Sequence, residues 1–304
     1  MRALVCCLVV SLFAGASACS SSDGPPPAGS SGTSGFTPTN DGGPSVPGTE
    51  GGPPTPPATA PTTFKIQVDY RFDKAGFFSD PVRKKALEGA CAIWGRLLTK
   101  GFDNVPAGTF IRVRDPEKPT EPALSLTADV EIDDLMIFVG SADLAGTQTG
   151  LSSPTAGLSG VTDGALAAKL QARFDGAQFQ PWTAWISFSR TAEFHFDPDP
   201  SGGSPVPAGK VDFVSVALHE IGHSLGFGTA EAFKSKIAAG AFTGAKAQAA
   251  YGGPVPLTND LGHVPNSTMS DGRRLLMDVS DAPGVRYTPT TLDRAIFEDL
   301  GYAF

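Results

Sequence analysis

Residues 20–63 limit where this chain can fold. All but nine of those 44 positions are Gly, Pro, Ser or Thr, and none is Lys or Arg. Such a stretch carries too little apolar side chain to offset the entropy of ordering its backbone, so it reads as a flexible tether. Ahead of it, MRALVCCLVVSLFAGASAC has an early Arg2, an apolar run from Ala3 to Gly15 and a small-residue end. That run is too short to span a bilayer, and residues 1–18 are expected to be a cleaved export signal. The fold must then be built from residues 64–304, a length sufficient for one substantial core with two lobes.

Cysteine usage points the same way. Of four cysteines, Cys6 and Cys7 leave with the signal. Cys19, directly behind three small residues, resembles the acylated cysteine of a bacterial lipoprotein. The resemblance implies a lipid-anchored linker over residues 19–63, held at an outer membrane or cell surface. Ordinary cleavage near Ala18 would instead leave a secreted product. Cys91 lies in the apolar helical stripe ALEGACAIWGRLL and is expected to be a buried, inert thiol. No disulfide framework within one chain follows. A formal net charge of −8, with no block of Lys and Arg, argues against nucleic acid as a partner.

Patterning over the remainder predicts an α/β (α+β) chain. FKIQVDYRF, from residue 64, alternates and is rich in strand formers. An Asp80-Pro81 start opens an amphipathic helix with Val82, Leu87, Ala90, Cys91, Trp94 and Leu98 on its apolar stripe. TFIRVRD, DDLMIFVGSADL and TAWISFSRTAEFHF read as further strands, with Gly/Ser/Pro-rich turns between them. A second helix follows, and the order strand, helix, strands, helix is an α/β pattern.

That second helix carries the chemistry. Asp212 is a plausible N-cap for a helix from Phe213 to Leu225, with Val214, Ala217, Leu218, Ile221 and Leu225 apolar. His219 and His223 are four residues apart, so both imidazoles leave one side of the helix and can converge on a Zn²⁺ at roughly 2.0–2.1 Å. Glu220 lies next round the helix, placed to act on water as a general base rather than as a ligand. Gly226 tolerates the positive φ needed to stop the helix sharply.

A catalytic zinc generally takes three protein ligands and keeps one open position. Thr229, with its neutral hydroxyl, is a poor ligand, so the third must come from further along. His263, in the turn-rich loop PVPLTNDLGHVPNS, and the glutamates Glu231 and Glu298 are the candidates. Glu298 sits on a predicted helix capped by Thr288, with Pro289 first, Leu292, Ile296 and Leu300 apolar and Gly301 terminating. There it faces solvent or pairs with Arg294. His195, Asp197, Asp199, Asp260 and Asp271 read as turn or structural residues. Asp197 and Asp199 could contribute to a Ca²⁺ site, but two carboxylates in a Pro/Gly turn do not define one.

HEIGHSLGF, a long insertion, PLTNDLGH, then RRLLMDV and TLDRAIFEDLGY resemble the leishmanolysin-type metzincin zinc proteases over residues 212–304. The resemblance implies His219, His223 and His263 as zinc ligands and Glu220 as the base. It also implies Met277 as an apolar Met-turn beneath the metal. It further implies a twisted sheet with an amphipathic helix and an active-site helix, then a mostly irregular C-terminal subdomain ending in a helix. The expected activity is endopeptidase cleavage of a protein or peptide substrate, with the membrane met only through the N-terminal anchor. Two readings compete: a surface binding or adhesion module that keeps the fold without catalysis, and a zinc protease that uses Glu298.

Overall fold

Leu135–Ala142, LMIFVGSA, is buried along its whole length and lies inside the main sheet. In the computed structural model, residues 17–21, 64–155, 161–174, 178–197, 199 and 204–304 are described. The expected signal up to Ala16 and the tether over residues 22–63 lie outside them. The main-sheet strands are β1 (Ser17–Ser21), β2 (Ile66–Asp69), β3 (Leu135–Ala142), β4 (Gln148–Thr155), β5 (Thr183–Ser189) and β6 (Ser280–Asp281). Their spatial order is β6-β1-β4-β5-β3-β2. The pairs β2–β3 and β3–β5 are parallel and β4–β5 antiparallel. β1 runs antiparallel to β4 and parallel to β6.

A strand with parallel neighbours on both sides is covered on both faces, which is why β3 is apolar without alternation. Leu135, Ile137 and Val139 join Ala184, Ile186 and Phe188 in the larger core, with the helices. Met136, Phe138 and Trp185 point the other way, into a smaller core with Ile111 and Val113. Those two come from the hairpin of Phe110–Val113 with Leu124–Thr127. Each such side chain, fully buried, contributes on the order of 1.5–3 kcal/mol.

Helix α1 (Pro81–Leu97) starts as expected, with the Asp80 carboxylate accepting from Val82 N at 2.8 Å and Pro81 in the first turn. It buries Leu87, Ala90, Cys91 and Trp94, but Val82 is 42% exposed, because the apolar stripe begins a turn later. Trp94 Nε1 donates to the Leu218 carbonyl at 3.0 Å and ties α1 to the motif helix. Burial pushes the Cys91 thiol up to about 12, in keeping with an inert role.

Several elements differ from the sequence reading: Ser17–Ser21, where the signal ends and the tether begins, pairs as β1 within the main sheet, and the helix Gly164–Ala172 and strand β4 have no counterpart in it. Helix α2 (Gly164–Ala172) starts at Asp163, whose carboxylate accepts from Ala165 N and Leu166 N. Strand β4 has the composition QTGLSSPT, which reads as a turn. Its extended form comes from pairing with β5 over six residue pairs and with β1 on its other side, not from its own side chains.

Beyond the motif helix α3 (Phe213–Ser224) the chain is mostly irregular, with short helices α4 (Glu231–Lys234) and α5 (Ala245–Tyr251) and two-residue strands. It closes with α6 (Thr291–Asp299), which Gly301, at φ +96°, follows. The cap of α6 is Thr290 rather than Thr288. Asp293 accepts from Thr290 N at 2.7 Å while Thr290 Oγ1 accepts from Asp293 N at 3.2 Å, a reciprocal capping box that fixes the start there. The described residues form a mixed α/β arrangement of six helices and several sheets, none closed. Among them no helix is long and apolar enough to cross a membrane.

Candidate metal centre

Every residue of α3 is buried, so its polar side chains all need partners inside the protein. Asp212 caps it by accepting from Ser215 N at 3.0 Å. Arg286 closes on the same carboxylate through two bonds of 3.0 and 2.8 Å, and reaches Asp197 at 2.9 Å. Asp197 therefore neutralises an arginine, and among the described residues it belongs to no metal-ligating group. At the other end Leu225 caps the helix and Gly226, at φ +108°, turns the chain. Thr229 is turned inward, its hydroxyl donating to the His223 carbonyl at 2.7 Å.

Three imidazoles converge. His219 Nε2 lies 2.9 Å from His223 Nε2, which lies 3.2 Å from His263 Nε2. His263 is 40 residues beyond His223 and, like the helical pair, is buried. Their tautomers follow from the outer nitrogens. His219 Nδ1 meets the Leu276 carbonyl at 2.8 Å, and His223 Nδ1 meets the Phe227 carbonyl at 2.8 Å. A carbonyl can only accept, so each Nδ1 carries the hydrogen and each Nε2 presents a lone pair. His263 Nδ1 faces Asp260 Oδ2 at 2.9 Å and obeys the same rule. Burial and the neighbouring imidazoles hold His219 down at about 3 and His223 well below the ordinary imidazole range.

Neutral imidazoles in these tautomers turn three lone pairs inward, an arrangement that a cation among them completes. Donors around a tetrahedral zinc are roughly 3.3 Å apart, close to the spacings seen. The trio can hold a metal ion, and all its donor atoms lie within 4.8 Å of one another.

Glu220 is wholly buried, and among the described residues neither carboxylate oxygen has a hydrogen-bond partner. Burial pushes its carboxyl well above the usual range; the Ser152 hydroxyl opposes the shift and the nearby charge of Asp281 adds to it. Strand β4 crosses directly over it. A Cβ built on Gly150 would collide with Oε1, Cδ and Cγ of Glu220, and Ser152 Oγ donates to the Glu220 main-chain carbonyl at 2.9 Å. Only glycine fits at that crossing. Gly150→Ala is expected to keep the bound metal and displace the Glu220 carboxylate. An order-of-magnitude loss of any hydrolytic rate, measured beside metal content, would follow; an unchanged rate would refute the crossing.

Met277 lies under α3, where a Cβ added to Gly222 would meet its Sδ at 2.5 Å. The same turn does more than pack. Leu276 offers its carbonyl to His219, and the Met277 carbonyl accepts from Val264 N at 3.1 Å, directly after His263. Asp293 of α6 anchors the turn by accepting from Leu276 N at 3.0 Å and Met277 N at 3.2 Å.

The rival third ligands lie elsewhere. Glu298 pairs with Lys246 at 3.5 Å rather than with Arg294, and Glu231 pairs with Lys234 at 3.4 Å. His195 belongs to a two-residue strand beside Val211–Asp212. Asp271 accepts from Thr291 N at 2.8 Å, a structural role. Asp260, read from the sequence as a turn residue, instead touches His263. Neither Gly150 nor Asp293 carries a local sequence signal of its contact with the site; Asp260 carries one, an acid three residues before a loop histidine. Cys19 lies in β1 opposite Gly150.

No family model matches the chain, and no curated protein matches it.

Proposed function

We propose that this chain is a zinc-dependent endopeptidase of the metzincin type, leishmanolysin-like, with His219, His223 and His263 as ligands and Glu220 as general base. The observation that carries the reading is Glu220 itself. A fully buried carboxylate, without a hydrogen-bond partner among the described residues, lies under a strand of the main sheet on the helix that supplies two of the three convergent imidazoles. Unpartnered buried carboxylates are costly, and they persist where a bound group completes them. Three neutral nitrogens with no thiolate among them suit zinc with one position left open. Zinc held there supplies Lewis acidity, polarising a carbonyl and acidifying water.

Strand β1 supports a peptide substrate. It is an extended segment held between β4 and β6, with Ala18 opposite Leu151 and Cys19 opposite Gly150. A substrate strand running the same way would gain backbone hydrogen bonds from both neighbours and cross Glu220 at Gly150. Glu220 takes one proton from water as its oxygen adds to the carbonyl carbon, then delivers that proton to the departing amine as the C–N bond breaks. On this reading the chain is exported by residues 1–18 and held at a bacterial surface by acylated Cys19.

The test is cleavage of an unstructured protein by the purified chain, with metal content measured beside it. Cleavage lost to a chelator and restored by zinc is expected. One zinc per chain with no chelator-sensitive cleavage would instead favour the binding-module reading.

A further inference from the structure

We infer that Asp260 is the positioning residue of the third ligand: its carboxylate, fixed within a self-closed turn, aims His263 and sets how tightly the trio grips its metal. The inference rests on the metal reading above and concerns how that site is held.

The three imidazoles are not supported alike. His219 and His223 ride on a buried helix and hand their Nδ1 hydrogens to neutral carbonyls, those of Leu276 and Phe227. His263 has no regular element beneath it and hands its Nδ1 hydrogen to a carboxylate, Asp260 Oδ2, at 2.9 Å. That bond acts together with packing of the buried ring against His219 and His223 to fix its orientation. A carboxylate behind an imidazole also makes the opposite nitrogen a stronger donor, an effect a carbonyl produces more weakly.

Asp260 is itself held. Its Oδ1 accepts from Gly262 N at 2.9 Å and from Thr258 Oγ1 at 2.5 Å. Thr258 N donates to the His263 carbonyl at 2.9 Å, and Leu261 N returns to the Thr258 carbonyl at 2.9 Å. Leu261 takes φ +57°, a conformation uncommon for a residue with a side chain, which lets the six-residue clip close on itself. The clip is braced from outside. A Cβ on Gly228, in the turn after α3, would come within 2.7 Å of Gly262 Cα, so two backbones meet without intervening side chains. Gly228 thus has a use that helix termination, already served by Gly226, does not explain.

The test is zinc affinity and zinc release rate, by competition with a chromogenic chelator, for wild type, Asp260→Asn and His263→Ala. Asparagine keeps the size of the side chain and one acceptor but not the charge. Asp260→Asn is expected to lose roughly 10–100-fold in affinity, mostly through faster release, while the metal-free melting temperature stays near that of wild type. Thr258→Val, which keeps the carboxylate and removes one of its holds, should show a smaller loss in the same direction. Affinities within twofold of wild type for both variants would overturn the inference, leaving Asp260 a turn residue. A wild type without tight zinc, or a His263→Ala that binds as well as wild type, would overturn the metal reading and this inference with it.

Discussion

Replacing Glu220 by glutamine is expected to leave zinc content unchanged and to reduce peptide cleavage by roughly 10²–10⁴-fold, the usual contribution of a positioned general base. Glutamine preserves the shape of a side chain that has no exposed surface, so the overlying Gly150 and the main-chain bond from Ser152 are undisturbed. What is lost is the capacity to take a proton. Among the described residues neither carboxylate oxygen has a hydrogen-bond partner, and the nearby Ser152 hydroxyl is held by the Glu220 main-chain carbonyl, so the substitution disturbs little of the fold. Thermal stability should therefore hold or rise slightly, since a buried carboxyl is harder to accommodate than an amide. Rates and metal content measured on the same preparation decide the matter. Near-normal cleavage by Glu220→Gln would remove the residue from the reaction.

The second large effect is expected at His263. His263→Ala leaves two imidazoles on a helix, short of the three protein ligands a catalytic zinc site generally has. Its zinc affinity should fall by more than the 10–100-fold typical of losing an outer partner. Zinc also reports on the site through stability. At a hundredfold excess over its dissociation constant, a ligand of the folded state adds about 2.7 kcal/mol, which in a domain this size raises the melting temperature by roughly 5–10 °C. Wild type should show that shift, and His263→Ala should not. Equal shifts in both proteins would mean that another side chain completes the site. Glu298 is a poor candidate for it, because it pairs with Lys246 instead.

Reading sequence against structure separates two kinds of information. The Asp80 and Asp212 caps, the span of α3 and its stop at Gly226 are all where the residues predict. Each depends on bonds within one helical turn, so each is encoded locally. The cap of α6 shifted by two residues because Asp293, which closes it, also anchors the Leu276–Met277 turn. Strand β4 is hidden in the sequence for a related reason. QTGLSSPT carries almost no strand propensity, and its conformation is imposed by pairing with β5 over six residue pairs. The strand that overlies Glu220 is thus the one whose composition conceals it. Asp260 was passed over because Asp in a turn before Leu-Gly is ordinary, and its partner is identified only once His263 is seen to turn back onto it.

By itself, the sequence determined the buried helix, the two histidines one turn apart and the glutamate beside them. Those follow from a 3.6-residue period, which acts over a few residues at a time. Only the tertiary structure decided which distant residue meets that pair, what holds it, and which strand crosses the carboxylate. His263 is 40 residues from His223, and Ser152 is 68 from Glu220. Contacts at such separations are selected by the packing of the whole core, and no local pattern specifies them.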